Sequence, residues 1–314
     1  MTPLPAVSIR NLTHRYGERT ALDSVSLDIA ASEIFGVLGP NGSGKSTLFR
    51  LLSTLMPLQS GDVRLLDFDL ARQPNQIRGR IGVVFQSSSL DKKLSVLENI
   101  RYQAALYGVT GHELRRREEE VLDQFGLRDR AHELCEKLSG GLRRRVELAK
   151  GIIHQPQLLL LDEPSTGLDP GARLDLWQCL ARMREERQVT IVITTHLLDE
   201  AAKADRLALF DLGRLVALDT PAALQATVGG DAITIRTPDP AKLAADIRER
   251  WQLPAVALEE IVRVDVPEGH QWIARLVEAF PGSVREIMLG KPTLEDVFIA
   301  KTGRRFFDSR ERAA

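Results

Sequence analysis

Nine consecutive residues, Gly39, Pro40, Asn41, Gly42, Ser43, Gly44, Lys45, Ser46 and Thr47, have the types and spacing of a loop that holds phosphate. They follow the short apolar run Ile34–Leu38 and lead into a helical pattern at Leu48, Phe49, Leu51 and Leu52. In that strand–loop–helix setting GxxxxGK[ST] marks a phosphate cradle, not a turn that merely joins two elements. The glycines let the backbone turn tightly and aim several N–H groups at one anion. The positive end of the following helix, worth about half an elementary charge, adds to the attraction. Lys45 is placed to reach the β- and γ-phosphates of a nucleotide, and the Ser46 hydroxyl to ligate Mg²⁺.

Two further stretches carry chemistry. Four leucines, 158–161, run into Asp162 and Glu163. A strand buried on both faces that ends in two carboxylates delivers them to a sheet edge. There Asp162 would bind the metal, directly or through water, and Glu163 could orient and deprotonate an attacking water. Ser139, Gly140 and Gly141 then open a helix, Ser139 as its cap, and the bare backbone donors make a second anion site. One phosphate loop does not obviously need a second anion site in the same chain.

The elements that must position these residues alternate. Strands are expected over 7–12, 25–29, 34–38, 61–65, 81–85, 158–161 and 190–194. Helices are expected over 44–53, 141–153 and 197–204, and from Pro170 onward, with a mostly helical stretch over 95–125 broken at 108–111. Such alternation implies an α/β layer architecture with a largely parallel sheet. The charged run 115–120 mixes signs at helical spacing and reads as a solvated face. The composition changes across 227–231, so the expected domains are 1–228, with a helical subdomain over 87–155, and 229–314. The second part reads βαββαβ, compatible with a small ferredoxin-like α+β fold. Asp239 caps one of its helices, with Pro240 in the first turn, and Thr293 with Asp296 resembles a capping box. The charged tail from Gly303 is expected to fray.

Composition narrows the classes. Of 314 residues, 42 are Lys or Arg and 43 are Asp or Glu, a net charge of -1 that offers no bulk attraction to nucleic acid. The two cysteines, Cys135 and Cys179, have no metal-ligand spacing and fit a reducing compartment. Residues 1–10 lack the pattern of a signal peptide, and no apolar run is long enough to span a bilayer. Work at a membrane would require another chain to do the spanning.

Taken together, the phosphate loop, the Leu-Ser-Gly-Gly of residues 138–141 and the Asp162-Glu163 strand end resemble the ATPase subunit of an ABC transporter. The resemblance covers residues 7–230, and its other motifs follow in family order. Tyr16 resembles the aromatic that stacks on adenine. Gln86 resembles the glutamine at the junction between ATPase and membrane subunit, which also approaches the metal. Asp169 ends a segment similar to the loop that crosses the dimer interface, and His196 resembles the switch histidine that contacts the γ-phosphate. Leu142 departs from the pattern, standing where the commonest signature has Gln. The resemblance implies a P-loop ABC cassette that uses ATP and Mg²⁺ and forms a head-to-tail homodimer. In that dimer the phosphate loop of one copy faces the signature of the other, which explains why one chain carries both anion sites.

The stretches 152–156, 194–200 and 292–298 are similar to ATPases of ABC-2 type exporters, the daunorubicin-resistance and nodulation-factor groups. That likeness implies an integral-membrane ABC-2 type permease as partner, docked near Gln86 and residues 95–107. The place implied is the cytoplasmic face of the cell membrane, with no nucleic-acid partner. A soluble ABC ATPase acting on ribosomes or DNA is the competing class. It would carry a second cassette, a long coiled-coil insertion or a zinc spacing, and none is present in this sequence. A regulatory protein that binds nucleotide without hydrolysing it is a third class, against which Glu163 argues.

Overall fold

The computed structural model describes residues 5–306, so most of the charged tail lies outside the described residues. The chain divides into two compact units, Met1–Leu215 and Val216–Ala314. The first begins with β1 (Val7–Tyr16), β2 (Arg19–Ile29), β3 (Ile34–Leu38), α1 (Lys45–Leu52), β4 (Ser60–Leu65), β5 (Phe68–Asp69), α2 (Pro74–Arg78) and β6 (Ile81–Val84). It continues through α3 (Val96–Leu106), α4 (Gly111–Gln124), α5 (Gly140–Ile152), β7 (Leu158–Asp162) and α6 (Pro170–Arg187). It ends with β8 (Thr190–Thr195), α7 (Leu198–Ala201), β9 (Arg206–Asp211) and β10 (Arg214–Asp219), the division falling within β10.

Six of these strands form one sheet in the order β10-β9-β3-β8-β7-β6, and β2-β1-β4-β5 form a separate antiparallel sheet. From β9 to β6 every pairing is parallel. The four leucines of β7 are each 0% exposed, as an apolar run flanked by parallel neighbours demands. Around them, α3, α4 and α5 bury Val96, Ile100, Val121, Phe125, Val146 and Ile152 in one continuous core with the sheet. α3 starts with a capping box in which Ser95 and Glu98 satisfy each other's backbone N–H groups.

The second unit runs α8 (Pro221–Val228), β11 (Asp231–Arg236), α9 (Pro240–Trp251), β12 (Ala255–Leu258), β13 (Ile261–Val266), α10 (His270–Ala279), β14 (Glu286–Gly290) and α11 (Leu294–Thr302). Its strands pair antiparallel in the order β12-β13-β11-β14. Asp239 caps α9 and Thr293 with Asp296 forms the capping box of α11. The unit begins before the Gly229-Gly230 pair because α8, unread in the sequence, packs on α11.

One close approach sets the position of α5. A Cβ on Gly82 of β6 would lie 2.2 Å from the carbonyl oxygen of Gly151, and one on Gly151 would lie 2.9 Å from Val84. The helix backbone therefore rests directly on the strand. Gly82→Ala should cost about 1–3 kcal/mol of stability, read as a lower urea midpoint; an unchanged midpoint would mean the two backbones do not meet this closely.

Candidate nucleotide site

Four adjacent parallel strands end at one edge, in the spatial order β3, β8, β7, β6. Their register places Leu38 beside Thr195 and Asp162 beside Thr194. The loop after β3, His196 after β8, the two carboxylates of β7 and Gln86 beyond β6 thus leave the sheet together. Three interstrand steps span about 14 Å, and ligands of parallel α/β sheets bind outside the carboxyl ends of their strands.

The loop wraps the N-terminus of α1. Gly42 and Gly44 adopt φ of 77° and 103°, which L side chains avoid. A Cβ on Gly44 would also lie 2.5 Å from the Ala21 carbonyl oxygen. No side chain caps α1, which leaves its first N–H groups available to an anion. Lys45 is 5% exposed, and its Nζ donates to the carbonyls of Gly39 at 2.7 Å and Pro40 at 2.9 Å. Tyr16, Asn41, Gly42, Gly44, Lys45, Ser46, Thr47 and Glu163 line a cleft of about 310 Å³, joined by Arg19, Ala21 and Arg50. Ser43 Oγ is buried without a hydrogen-bond partner.

Thr194 ties the Asp162 carboxylate to the Glu163 backbone. Its hydroxyl donates to Asp162 Oδ1 at 2.5 Å and accepts from the Glu163 N–H at 3.0 Å. Burial pushes the Asp162 carboxyl above its ordinary value of 3.8, against the pull of the Thr194 bond and with a further push from Glu163. Glu163 Oε2 accepts from Gln86 Nε2 at 3.0 Å and from Thr166 Oγ1 at 3.3 Å. Its Oε1 lies 3.0 Å from His196 Nδ1, a close approach without a well-directed hydrogen bond. Gln86 and His196, distant in sequence, thus both meet the Glu163 carboxylate, one at each oxygen.

The remaining expected residues lie elsewhere or touch the cleft lightly. Tyr16 is 44% exposed, its ring edge-on to His14 and its hydroxyl donating to Met56 Sδ at 3.3 Å. Ser139 caps α5 by accepting from the Leu142 N–H at 3.3 Å, and Asp169 caps α6 by accepting from Ala172 at 2.9 Å. Neither residue, nor Gly140 or Gly141, lines the cleft of its own chain. Gly140 and Gly141 instead lie beside Gly167 and Ala172.

Two supports were not read from the sequence. The Gly213 N–H donates to the Ser43 carbonyl at 3.0 Å, so the β9–β10 turn braces the phosphate loop. Arg144 and Glu147 of α5 form a buried ion pair at 2.6 Å that reaches Phe85, Ser89 and Pro164. Their signal was the helical i,i+3 spacing of opposite charges on a helix face that also carries Leu148.

A family model described as ABC transporter matches residues 22–166. A daunorubicin resistance ATP-binding protein of Streptomyces coeruleorubidus is 36% identical over 98% of this chain and 98% of its own. A Nod factor export ATP-binding protein of Paraburkholderia xenovorans is 35% identical over 98% of this chain and 100% of its own. Among solved structures, a dimeric post-hydrolysis state of an ATP-binding cassette bound to ADP and Pi matches with a TM-score of 0.62 at 29% identity. It covers 68% of this chain and 98% of that one.

The raised Asp162 value has a consequence for stability. The folded chain holds that proton more readily than the unfolded chain does. The carboxyl thus favours folding at acid pH, and this contribution is lost as pH rises through the folded value. At pH 7 the ionised group carries the cost of its burial. Asp162→Asn should therefore raise the nucleotide-free melting temperature at pH 7 by a few degrees, a gain that shrinks as pH falls toward 3.8. A lower melting temperature at pH 7 would mean that the Thr194 bond outweighs the burial.

Proposed function

The chain belongs to the ATP-binding subunits of ABC transporters, and on that footing we propose that two copies of it close around two ATP molecules and drive an ABC-2 type membrane subunit. It is an ATPase that powers export; its full-length likeness to exporter ATPases disfavours a soluble role on ribosomes or DNA. The observation that carries the mechanism is the Glu163 carboxylate, fixed by Gln86 and facing His196 on the wall of the cleft that Lys45 and the phosphate loop also line.

In this reading Tyr16 stacks on the adenine. The backbone donors of residues 39–47 enclose the phosphates, and Lys45 neutralises charge at the β- and γ-positions. Ser46, Asp162 and the Gln86 amide oxygen are hard oxygen donors of the kind Mg²⁺ prefers. When bound, Mg²⁺ screens the charge of the β- and γ-phosphates. Glu163 takes a proton from the attacking water, and the second ring nitrogen of His196 faces the γ-phosphate. Ser139, Gly140 and Gly141 of the opposite copy complete the anion site, and Asp169 stands at the crossing between copies. The existence of a dimeric cassette among similar structures supports this arrangement. Closure on ATP and reopening after phosphate loss form a two-state element biased by the γ-phosphate.

The membrane subunit docks beside Gln86 on α3, where Tyr102 and Leu106 stand 64% and 80% exposed. The chain then works on the cytoplasmic face of the cell membrane. Among its described residues no helix is long and apolar enough to cross a membrane. The second unit is ferredoxin-like in this reading, supported by its βαββαβ order and β12-β13-β11-β14 sheet, with a role in dimer stabilisation or regulation.

Glu163→Gln should bind ATP, dimerise and stall, with turnover down by roughly a hundredfold or more. Full turnover in that variant would remove Glu163 from the role of base. Cysteines at positions 41 and 139 should cross-link between copies when ATP is present, against a background of two buried native thiols. Failure of ATP to promote that link would remove the head-to-tail dimer. Detergent-solubilised membranes should yield the permease on pull-down; recovery of ribosomes or DNA instead would favour the soluble role.

A further inference from the structure

The signature helix α5 grips both segments that hold the hydrolytic residues. Arg144 and Glu147 are 7% and 5% exposed. The Arg144 guanidinium donates to the Pro164 carbonyl at 2.7 Å, to the Phe85 carbonyl at 2.7 Å and to Glu147 Oε2 at 2.6 Å. Pro164 and Phe85 each stand one residue from a partner in the Glu163–Gln86 hydrogen bond. Glu147 Oε1 accepts from the Ser89 N–H at 2.9 Å, and Lys150 Nζ donates to the Ser89 carbonyl at 2.9 Å. The segment between Phe85 and Ser89, which carries Gln86, is thus held at both ends by one helix. That helix begins at Ser139.

We propose that Arg144, oriented by Glu147, is a positioning residue that sets the Glu163 carboxylate and Gln86 from the signature helix, so that docking of the helix N-terminus fixes the hydrolytic geometry. The inference rests on the dimer reading given above and names the part of the chain that transmits it. Only a planar fork with several donors can meet two carbonyls and a carboxylate together. A buried pair is also a poor source of net stability compared with well-packed apolar side chains. Its arrangement here serves direction: the two carbonyls that Arg144 meets, those of Pro164 and Phe85, adjoin Glu163 and Gln86. A rigid connection of this kind matters because small misplacements of a reacting group cost large factors in rate.

The test uses the purified full-length chain at saturating ATP. Arg144→Lys keeps a charge opposite Glu147 but offers one nitrogen in place of the fork. Its kcat should fall by roughly tenfold or more, while the affinity for ATP, measured by equilibrium binding, stays within about twofold. Unchanged kcat, or a loss that appears wholly as weaker ATP binding, would overturn the proposal. Should thermal melts show that Arg144→Lys does not fold, Glu147→Gln decides. It keeps an oxygen for Ser89 and removes the charge that orients Arg144, so kcat should drop at constant ATP affinity, and full activity would overturn the proposal. A wild-type chain that fails to hydrolyse ATP sinks the functional reading itself. An active wild type beside an equally active Arg144→Lys sinks only this inference.

Discussion

Consecutive residues of an extended strand point to opposite faces, yet the roles proposed for Asp162 and Glu163 need both carboxylates on one side. The constraint is met at Glu163, whose backbone turns to φ 44° and breaks the alternation where β7 ends. A left-handed conformation at a non-glycine residue costs on the order of 1 kcal/mol or more and persists only where the surroundings hold it. Here the Glu163 N–H is caught by both oxygens of Thr194, at 3.1 Å and 3.0 Å. The same threonine hydroxyl donates to Asp162. One β8 side chain therefore holds the Asp162 carboxylate and the Glu163 backbone together, and it can do so because the parallel β7–β8 register sets Asp162 beside Thr194.

From that junction the support spreads outward in two directions. On one side β3 and β9 carry the phosphate loop, and the turn at Gly213 holds the Ser43 carbonyl from beneath. Gly213 has φ 81°, and a Cβ there would lie 2.8 Å from the Ala21 carbonyl oxygen. The brace thus depends on a residue without a side chain. On the other side α5 lies on β6 through the Gly82–Gly151 contact, close enough for Arg144 to reach the backbone of both neighbouring segments. Glycine brings the backbones together at both flanks.

Much of this was legible because the chemistry is local in sequence. Residues 39–47, 138–141 and 158–163 each announce a strand end or a helix start in a single window. The caps at Ser139, Asp239 and Thr293 formed where their side chains allow. What escaped was non-local or short. β9 and β10 are joined only by Leu212 and Gly213, and the run 205–219 gave no periodicity to separate two strands. α8 has a Thr220 cap and Pro221 in its first turn, but its place in the second unit depends on packing against α11, more than sixty residues later in the chain. The partners of Arg144 lie 20 and 59 residues away, and no spacing rule reaches that far. The raised Asp162 value follows from burial, which the leucine run foreshadows but does not measure.

Leu142, the departure from the common signature, leaves the helix start unchanged. Its side chain packs partly buried against the core shared by the sheet and α3–α5. Its backbone N–H is the donor that Ser139 accepts in capping α5. The cap needs the peptide of residue 142 and not its side chain, so leucine leaves the helix start intact. With that N–H engaged, the backbone donors left to an external anion are those of the first two helical residues, Gly140 and Gly141. Both residues lack a Cβ that would hold a ligand away. The Ser139 oxygen faces inward as an acceptor, while its own hydrogen remains able to donate outward. Leucine at 142 thus trades a polar side chain at the rim for packing beneath it, and the anion site proposed at this helix start keeps its donors.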